Sequence, residues 1–125
     1  MATDLIYKDE TYKIIGLCME VHRELGYGFL EIVYKDALEM LFQQHGIPYE
    51  REKELPITFR NVILPRKFFA DFWVYENIIL EAKAKAAIID EHIAQTLNYL
   101  KASKNKLGLL VNFGRLQLEY KRLVF

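Results

Sequence analysis

Apolar residues recur along this chain with two different periods, and the changes of period divide it into helices and strands. From about Thr11 to Leu25, Ile15, Cys18, His22 and Leu25 fall three and four residues apart, and Ile14, Leu17 and Val21 widen the stripe, which predicts an amphipathic helix. Asp9 or Thr11 would cap its start. Gly26-Tyr27-Gly28 ends it, because glycine accepts the left-handed backbone of a helix C-terminus. A second helix is predicted from about Leu30 to Gln44, with Val33, Ala37, Leu38, Leu41 and Phe42 on its apolar face and Gly46 and Pro48 as stops. Tyr49 to Phe59 is charged, partly alternating and carries Pro56, the pattern of an outer strand with one wet face. Phe68 to Lys83 is almost wholly apolar, aromatic or β-branched and predicts two buried strands around a short turn. Helical spacing returns from Ile88 to Ala102, with Ile89, Ile93, Leu97 and Leu100 facing the core. Leu107 to Phe113 forms a further buried strand, Gly114-Arg115 turns it, and Leu116 to Phe125 alternates as the last strand. Two helices, three strands, a helix and two strands predict an α/β layer sandwich with a mixed sheet.

Composition narrows the class. A chain of 125 residues can build one domain around a single core. No repeat, low-complexity tract or linker divides it, so residues 1–125 are expected to form one domain. A hydrophobic fraction of 52% with 14% aromatics excludes a disordered chain. Seventeen basic and 17 acidic residues cancel, so any contact with nucleic acid needs a local basic group such as Arg66-Lys67 rather than a global field. The single cysteine, Cys18, forbids an internal disulfide and fits both a reducing compartment and a core thiol. No apolar run approaches the roughly 18 residues of a membrane span, and the N-terminus lacks a signal-peptide pattern. A soluble cytoplasmic protein without a membrane partner is the expectation.

Charge inside the apolar hairpin supplies the candidate chemistry. Asp71, Glu81 and Lys83 interrupt strands that otherwise read as core, and burying an unpaired charge is costly. Glu81 and Lys83 are two apart and share a face. A three-residue turn, Tyr75 to Asn77, sets Asp71 opposite Glu81 with Cβ atoms roughly 5 Å apart, whereas a two-residue turn would set it opposite Ala82 on the other face. The odd loop is expected here. Two facing carboxylates repel unless a cation lies between them, and a hard divalent ion such as Mg²⁺ or Mn²⁺ suits an all-oxygen pair with open positions for water and phosphate. Lys83, about 7 Å along the same face, would hold a water or a phosphate oxygen beside that ion. An aspartate followed by Glu-x-Lys on the next strand is the minimum set for metal-assisted phosphodiester hydrolysis. A structural ion pair of Asp71 or Glu81 with Lys83 is the plainer alternative.

Other residues leave two readings open. Glu31 sits in the first turn of its helix, where the dipole favours an anion, yet it points the same way as Tyr34 and would reach a site as a further metal ligand or water holder. His22 is either a hydrogen-bonded core histidine or a participant in chemistry. Gln95 and Tyr99 lie one turn apart on the third helix.

Several stretches together resemble one family. Gly28, Glu31 and Tyr34 in Leu25–Tyr34 resemble the signature of the GxxExxY proteins, and Glu20 to Gly26 is similar to the segment that precedes it there. Asp71 with Glu81-Ala82-Lys83 is similar to the catalytic core of the PD-(D/E)XK nuclease superfamily, to which that family is assigned. Gln95-Thr96-Leu97-Asn98-Tyr99 resembles the Q-x-x-x-Y motif of RecB-like nucleases, and Leu109 to Gly114 resembles the family's late strand. The one departure is Ala70 where the motif's proline would precede Asp71. The resemblance covers nearly the whole chain. It implies a restriction-endonuclease-like α-β-β-β-α-β core with an extra N-terminal helix and C-terminal strand. By the same likeness Asp71 and Glu81 bind Mg²⁺ or Mn²⁺, with Glu31 supporting metal or water, and Lys83 orients the attacking water or stabilises the phosphate. Gln95 and Tyr99 fix substrate or support the site, a role also open to Tyr34 and His22. The expected partner is nucleic acid, DNA before RNA. The alternative is a non-catalytic nucleic-acid- or protein-binding module that keeps the nuclease fold. A homodimer along the final strand, near Leu123 and Phe125, is a further expectation.

Overall fold

The computed structural model describes residues 6–125. Helices α1 (Lys8–Leu25) and α2 (Glu31–Gln44) are followed by strands β1 (Tyr49–Phe59), β2 (Val62–Val74) and β3 (Ile78–Lys83). Helix α3 (Asp90–Ser103) then leads to β4 (Leu107–Asn112) and β5 (Glu119–Val124). The strands form one sheet in the order β1-β2-β3-β4-β5. Only β3 and β4 run parallel, because α3 carries the chain back over the sheet between them. This is the mixed α/β sandwich that the hydrophobic pattern predicts.

Each face of the sheet is covered. Phe72, Val74, Ile78, Leu80, Ala82, Leu109 and Val111 pack against Ile14, Cys18 and Val21 of α1 and Leu38 and Phe42 of α2. Cys18 is fully buried there, a core thiol as expected. On the opposite face Ile79, Ala70 and Leu55 pack against Tyr99 and Leu100 of α3. Gly108 makes that approach possible, since a Cβ at this position would lie 3.0 Å from Thr96 Cγ2 and 3.4 Å from the Leu100 methyl carbons.

Two local expectations are corrected. Helix α1 begins at Lys8, so Asp9 lies in its first turn and Thr11 inside it. The N-cap is Tyr7, with no side-chain capping bond, and Asp9 and Glu10 complement the helix dipole instead. Helix α3 buries Thr96, Tyr99 and Leu100 rather than the Ile89–Ile93–Leu97 stripe. Ile89 is its N-cap and is 46% exposed. The gap above Gly108 turns the helix so that Thr96 and Leu100 seat on β4, and this brings Tyr99 inward.

Alternation breaks midway along the β1–β2 ribbon. Phe72 packs under α1 and α2, yet Ala70, two residues earlier, packs under α3. The β1–β2 register runs Arg51↔Phe72 and then Lys53↔Ala70, omitting Glu52 and Asp71 between them, and Glu52 has φ 55°. The two-stranded ribbon therefore turns over at Glu52 and Asp71. Beyond that point it continues as an arm whose Phe59, Val62, Ile63 and Phe69 are exposed.

Candidate active site

Residues Tyr75 to Asn77 form the three-residue turn that the pattern requires, with Tyr75 and Glu76 both in the left-handed region at φ 55° and 63°. The register Val74↔Ile78, Trp73↔Ile79, Phe72↔Leu80 then sets Asp71 against Glu81. At that pair the side chains replace the ladder. The Asp71 N–H donates to Glu81 Oε2 at 2.7 Å, and the Ala82 N–H donates to Asp71 Oδ2 at 2.9 Å. Each carboxylate thus satisfies a backbone donor that the irregular strand leaves free, as a buried N–H requires.

Both carboxylates are removed from water, Asp71 being 8% exposed and Glu81 3%. Burial, then the neighbouring Asp71 charge, push the Glu81 carboxyl up to about 8, against the pull of Lys83 and Lys35. On the other side of Asp71 lies Glu52, in the gap between the pairs Arg51↔Phe72 and Lys53↔Ala70, so three carboxylates stand in a row across β1, β2 and β3. Like charges directly opposite one another are destabilising.

Lys35 relieves this repulsion. Its side chain comes from the buried face of α2, is 8% exposed, and donates to Asp71 Oδ1 at 2.8 Å and to Glu52 Oε1 at 3.4 Å. Glu31, one turn earlier, lies 3.7 Å from the same ammonium. Burial alone would lower the Lys35 pKa, but Asp71, Glu52 and Glu31 outweigh it and hold the ammonium above the ordinary lysine value. Glu31 therefore joins the cluster through Lys35.

Lys83 leaves β3 two residues after Glu81 and donates to Gln95 Oε1 of α3 at 3.3 Å. Among the described residues no carboxylate forms an ion pair with it, so the plain pairing of Asp71 or Glu81 with Lys83 is replaced by a pairing with Lys35. The end of β3 is fixed from β4. The Phe113 N–H donates to the Lys83 carbonyl at 2.8 Å, and the buried Asn112 amide accepts from the Lys85 and Gly114 N–H groups while donating to the Lys85 carbonyl and to Glu119. Tyr99 lies beside the carboxylates, and burial with the charges of Glu81, Asp71 and Glu52 pushes its phenol up to about 12. A recess of about 890 Å³ opens next to Gln95 and Tyr99, bounded by Phe68 of the arm and by Lys101 and Lys104.

Two expected participants lie apart from this cluster. The Tyr34 hydroxyl donates to the Gly26 carbonyl at 2.7 Å and accepts from the Phe29 N–H, while its ring stacks on Phe113 at 4.8 Å. It closes the loop that launches α2 and so sets the position of Glu31. His22 Nε2 is 2.8 Å from the Arg115 carbonyl, a hydrogen-bonded, half-buried histidine. Lys35 and Glu52 are the site residues that motif reading missed. The signal was present in part, since Lys35, Leu38 and Phe42 share one inward stripe, and a charge there requires partners.

The donor set suits a hard divalent cation. Asp71 and Glu81 offer oxygen only, they are buried together, and the one ammonium beside them pairs with Asp71 and Glu52 and leaves Glu81 without an ion-pair partner among the described residues. Among the described residues no three His, Cys, Asp or Glu side chains converge as metal ligands. An ion held by the pair would keep water or phosphate in its remaining positions.

A family model described as the PD-(D/E)XK nuclease superfamily matches residues 8–123, which include every residue of this cluster. Among solved structures, the crystal structure of SSO0001 is similar with a TM-score of 0.59 at 20% identity, over 74% of this chain and 48% of that one. This chain thus spans about half the length of that neighbour, and the likeness is one of fold, the restriction-endonuclease-like arrangement. No curated protein matches the chain.

Proposed function

The chain belongs to the PD-(D/E)XK nuclease superfamily, and from that premise we propose that it is a divalent-metal-dependent nuclease of the GxxExxY type, cutting phosphodiester bonds in nucleic acid, DNA before RNA. The observation that carries this reading is the mutual clasp of Asp71 and Glu81 across β2 and β3, with Lys83 two residues further along the same strand face. Asp71 and Glu81 would hold the cation, and Glu31 would support it from α2. When bound, such an ion polarises a phosphoryl oxygen and lowers the pKa of a coordinated water. Lys83, aimed by Gln95, places its ammonium where negative charge grows on the phosphate during attack. Tyr99 and the arm wall off one side, and Lys101 and Lys104 at the rim of the recess attract the backbone of the strand being cut.

The test uses purified protein with Mg²⁺ or Mn²⁺ and single- and double-stranded DNA and RNA. Cleavage that disappears in Lys83→Ala and Asp71→Asn supports the reading, and cleavage that survives both contradicts it. One observation favours a second reading, a binding module that retains the fold: Lys35 already supplies the buried Asp71 carboxylate with a cation. That reading predicts nucleic-acid binding without cleavage and no measurable uptake of Mn²⁺.

A further inference from the structure

We propose that Lys35 is a resident cation: it holds the Asp71–Glu81 site together when no divalent ion is bound and competes with that ion for Asp71. The inference rests on the reading above only in taking Asp71 and Glu81 as the ion's ligands. Asp71 Oδ2 is turned to the Ala82 N–H of β3 and Oδ1 is the atom Lys35 grips at 2.8 Å, so an ion on this carboxylate shares it with the ammonium. A second cation on either oxygen meets a full positive charge at short range, in surroundings that screen it poorly. Lys83 does not take this role, because its ammonium is directed to Gln95. Nor is Lys35 placed to grip substrate, being 8% exposed beneath the carboxylate row.

The lysine also has somewhere to go. Glu52, at 3.4 Å, and Glu31, at 3.7 Å, flank its ammonium, and both are more exposed than Asp71. When an ion takes Asp71, Lys35 keeps these two partners and its charge stays compensated. The site therefore has two filled states, one with lysine and one with a divalent ion. Lys35 sets the ion concentration at which the second replaces the first.

The experiment is calorimetric titration of the whole chain with MnCl₂, comparing wild type with Lys35→Met and Lys35→Arg, together with the melting temperature of each without metal. Lys35→Met binds Mn²⁺ about tenfold or more tightly, the factor expected when one charged hydrogen bond no longer has to be given up. Its metal-free melting temperature falls, and saturating Mn²⁺ restores most of the loss. Lys35→Arg keeps wild-type affinity. Should Lys35→Met unfold without metal, recovery of its circular dichroism on adding Mn²⁺ supports the same conclusion, and failure to recover contradicts it. Unchanged or weaker Mn²⁺ binding by a folded Lys35→Met overturns the inference, as does a complete lack of binding by both proteins. Cleavage at saturating Mn²⁺ is scored separately. Tighter binding without cleavage keeps the role of Lys35 and removes the nuclease, whereas equal affinities with cleavage do the reverse.

Discussion

Asp71 and Glu81 each give a side-chain oxygen to the other's strand, the Asp71 N–H bonding Glu81 Oε2 at 2.7 Å and the Ala82 N–H bonding Asp71 Oδ2 at 2.9 Å. The two groups are therefore part of the sheet as well as part of the site. Amide analogues separate these roles. Asp71→Asn and Glu81→Gln keep an acceptor oxygen for the backbone donor but lose the charge that would hold a divalent ion. Each is expected to fold and to lose at least about a hundredfold in cleavage rate. Gel-based cleavage alongside thermal melting checks both halves of this outcome.

Metal-free stability should carry the signature of Glu81. Its carboxyl titrates near 8 in the folded chain, against 4.5 for the ordinary group, because burial and then Asp71 oppose its charge. Between those values the folded state holds a proton that the unfolded state has released, so stability is fully present below the lower value and falls as pH climbs towards the upper one. In chelator-treated protein the melting temperature is expected to drop from pH 5 to pH 8 more steeply in wild type than in Glu81→Gln. Equal slopes would show that Glu81 ionises without penalty.

Gln95 accepts a hydrogen bond from Lys83 at 3.3 Å, and under the proposed function it would act on chemistry through that lysine. Gln95→Ala frees the ammonium to wander and is expected to lower kcat by roughly tenfold, while Lys83→Ala lowers it by about a hundredfold or more. The double variant should be no worse than Lys83→Ala alone. Additive losses would give Gln95 a separate task on substrate.

Behind Lys83, Asn112 makes four hydrogen bonds with a single buried amide, two of them to Lys85. Asn112→Ala leaves these groups unmatched and is expected to cost about 2–4 kcal/mol in denaturant unfolding. Gly114 beside it has no room for a side chain, since a Cβ would collide with the Lys85 carbonyl oxygen and amide nitrogen. Gly114→Ala should cost about 1–3 kcal/mol through displaced backbone, and it should slow cleavage by moving the end of β3.

Much of this was legible in the chain itself. Charges inside the Phe68–Lys83 hairpin, together with an odd turn length, place Asp71 against Glu81 because strand periodicity allows only two outcomes and the loop selects between them. Lys35 was not legible in the same way. Its two hydrogen-bond partners are 17 and 36 residues away, on strands whose register through Glu52 is irregular, and helical spacing alone cannot tell a snorkelling lysine from a buried one. The inward face of α3 also escaped, since it depends on the gap at Gly108 on another element. Tyr34 shows a further limit. A residue within the resembling stretch can serve the loop that positions Glu31 and itself touch none of the cluster's charged groups.

The most direct measurement is anomalous scattering from a crystal soaked in Mn²⁺. A peak between Asp71 and Glu81, with Lys35 moved off Asp71 Oδ1 towards Glu52 and Glu31, is the predicted result. Strong Mn²⁺ peaks elsewhere, with the Lys35–Asp71 bond intact and nothing at the carboxylate pair, would contradict the account.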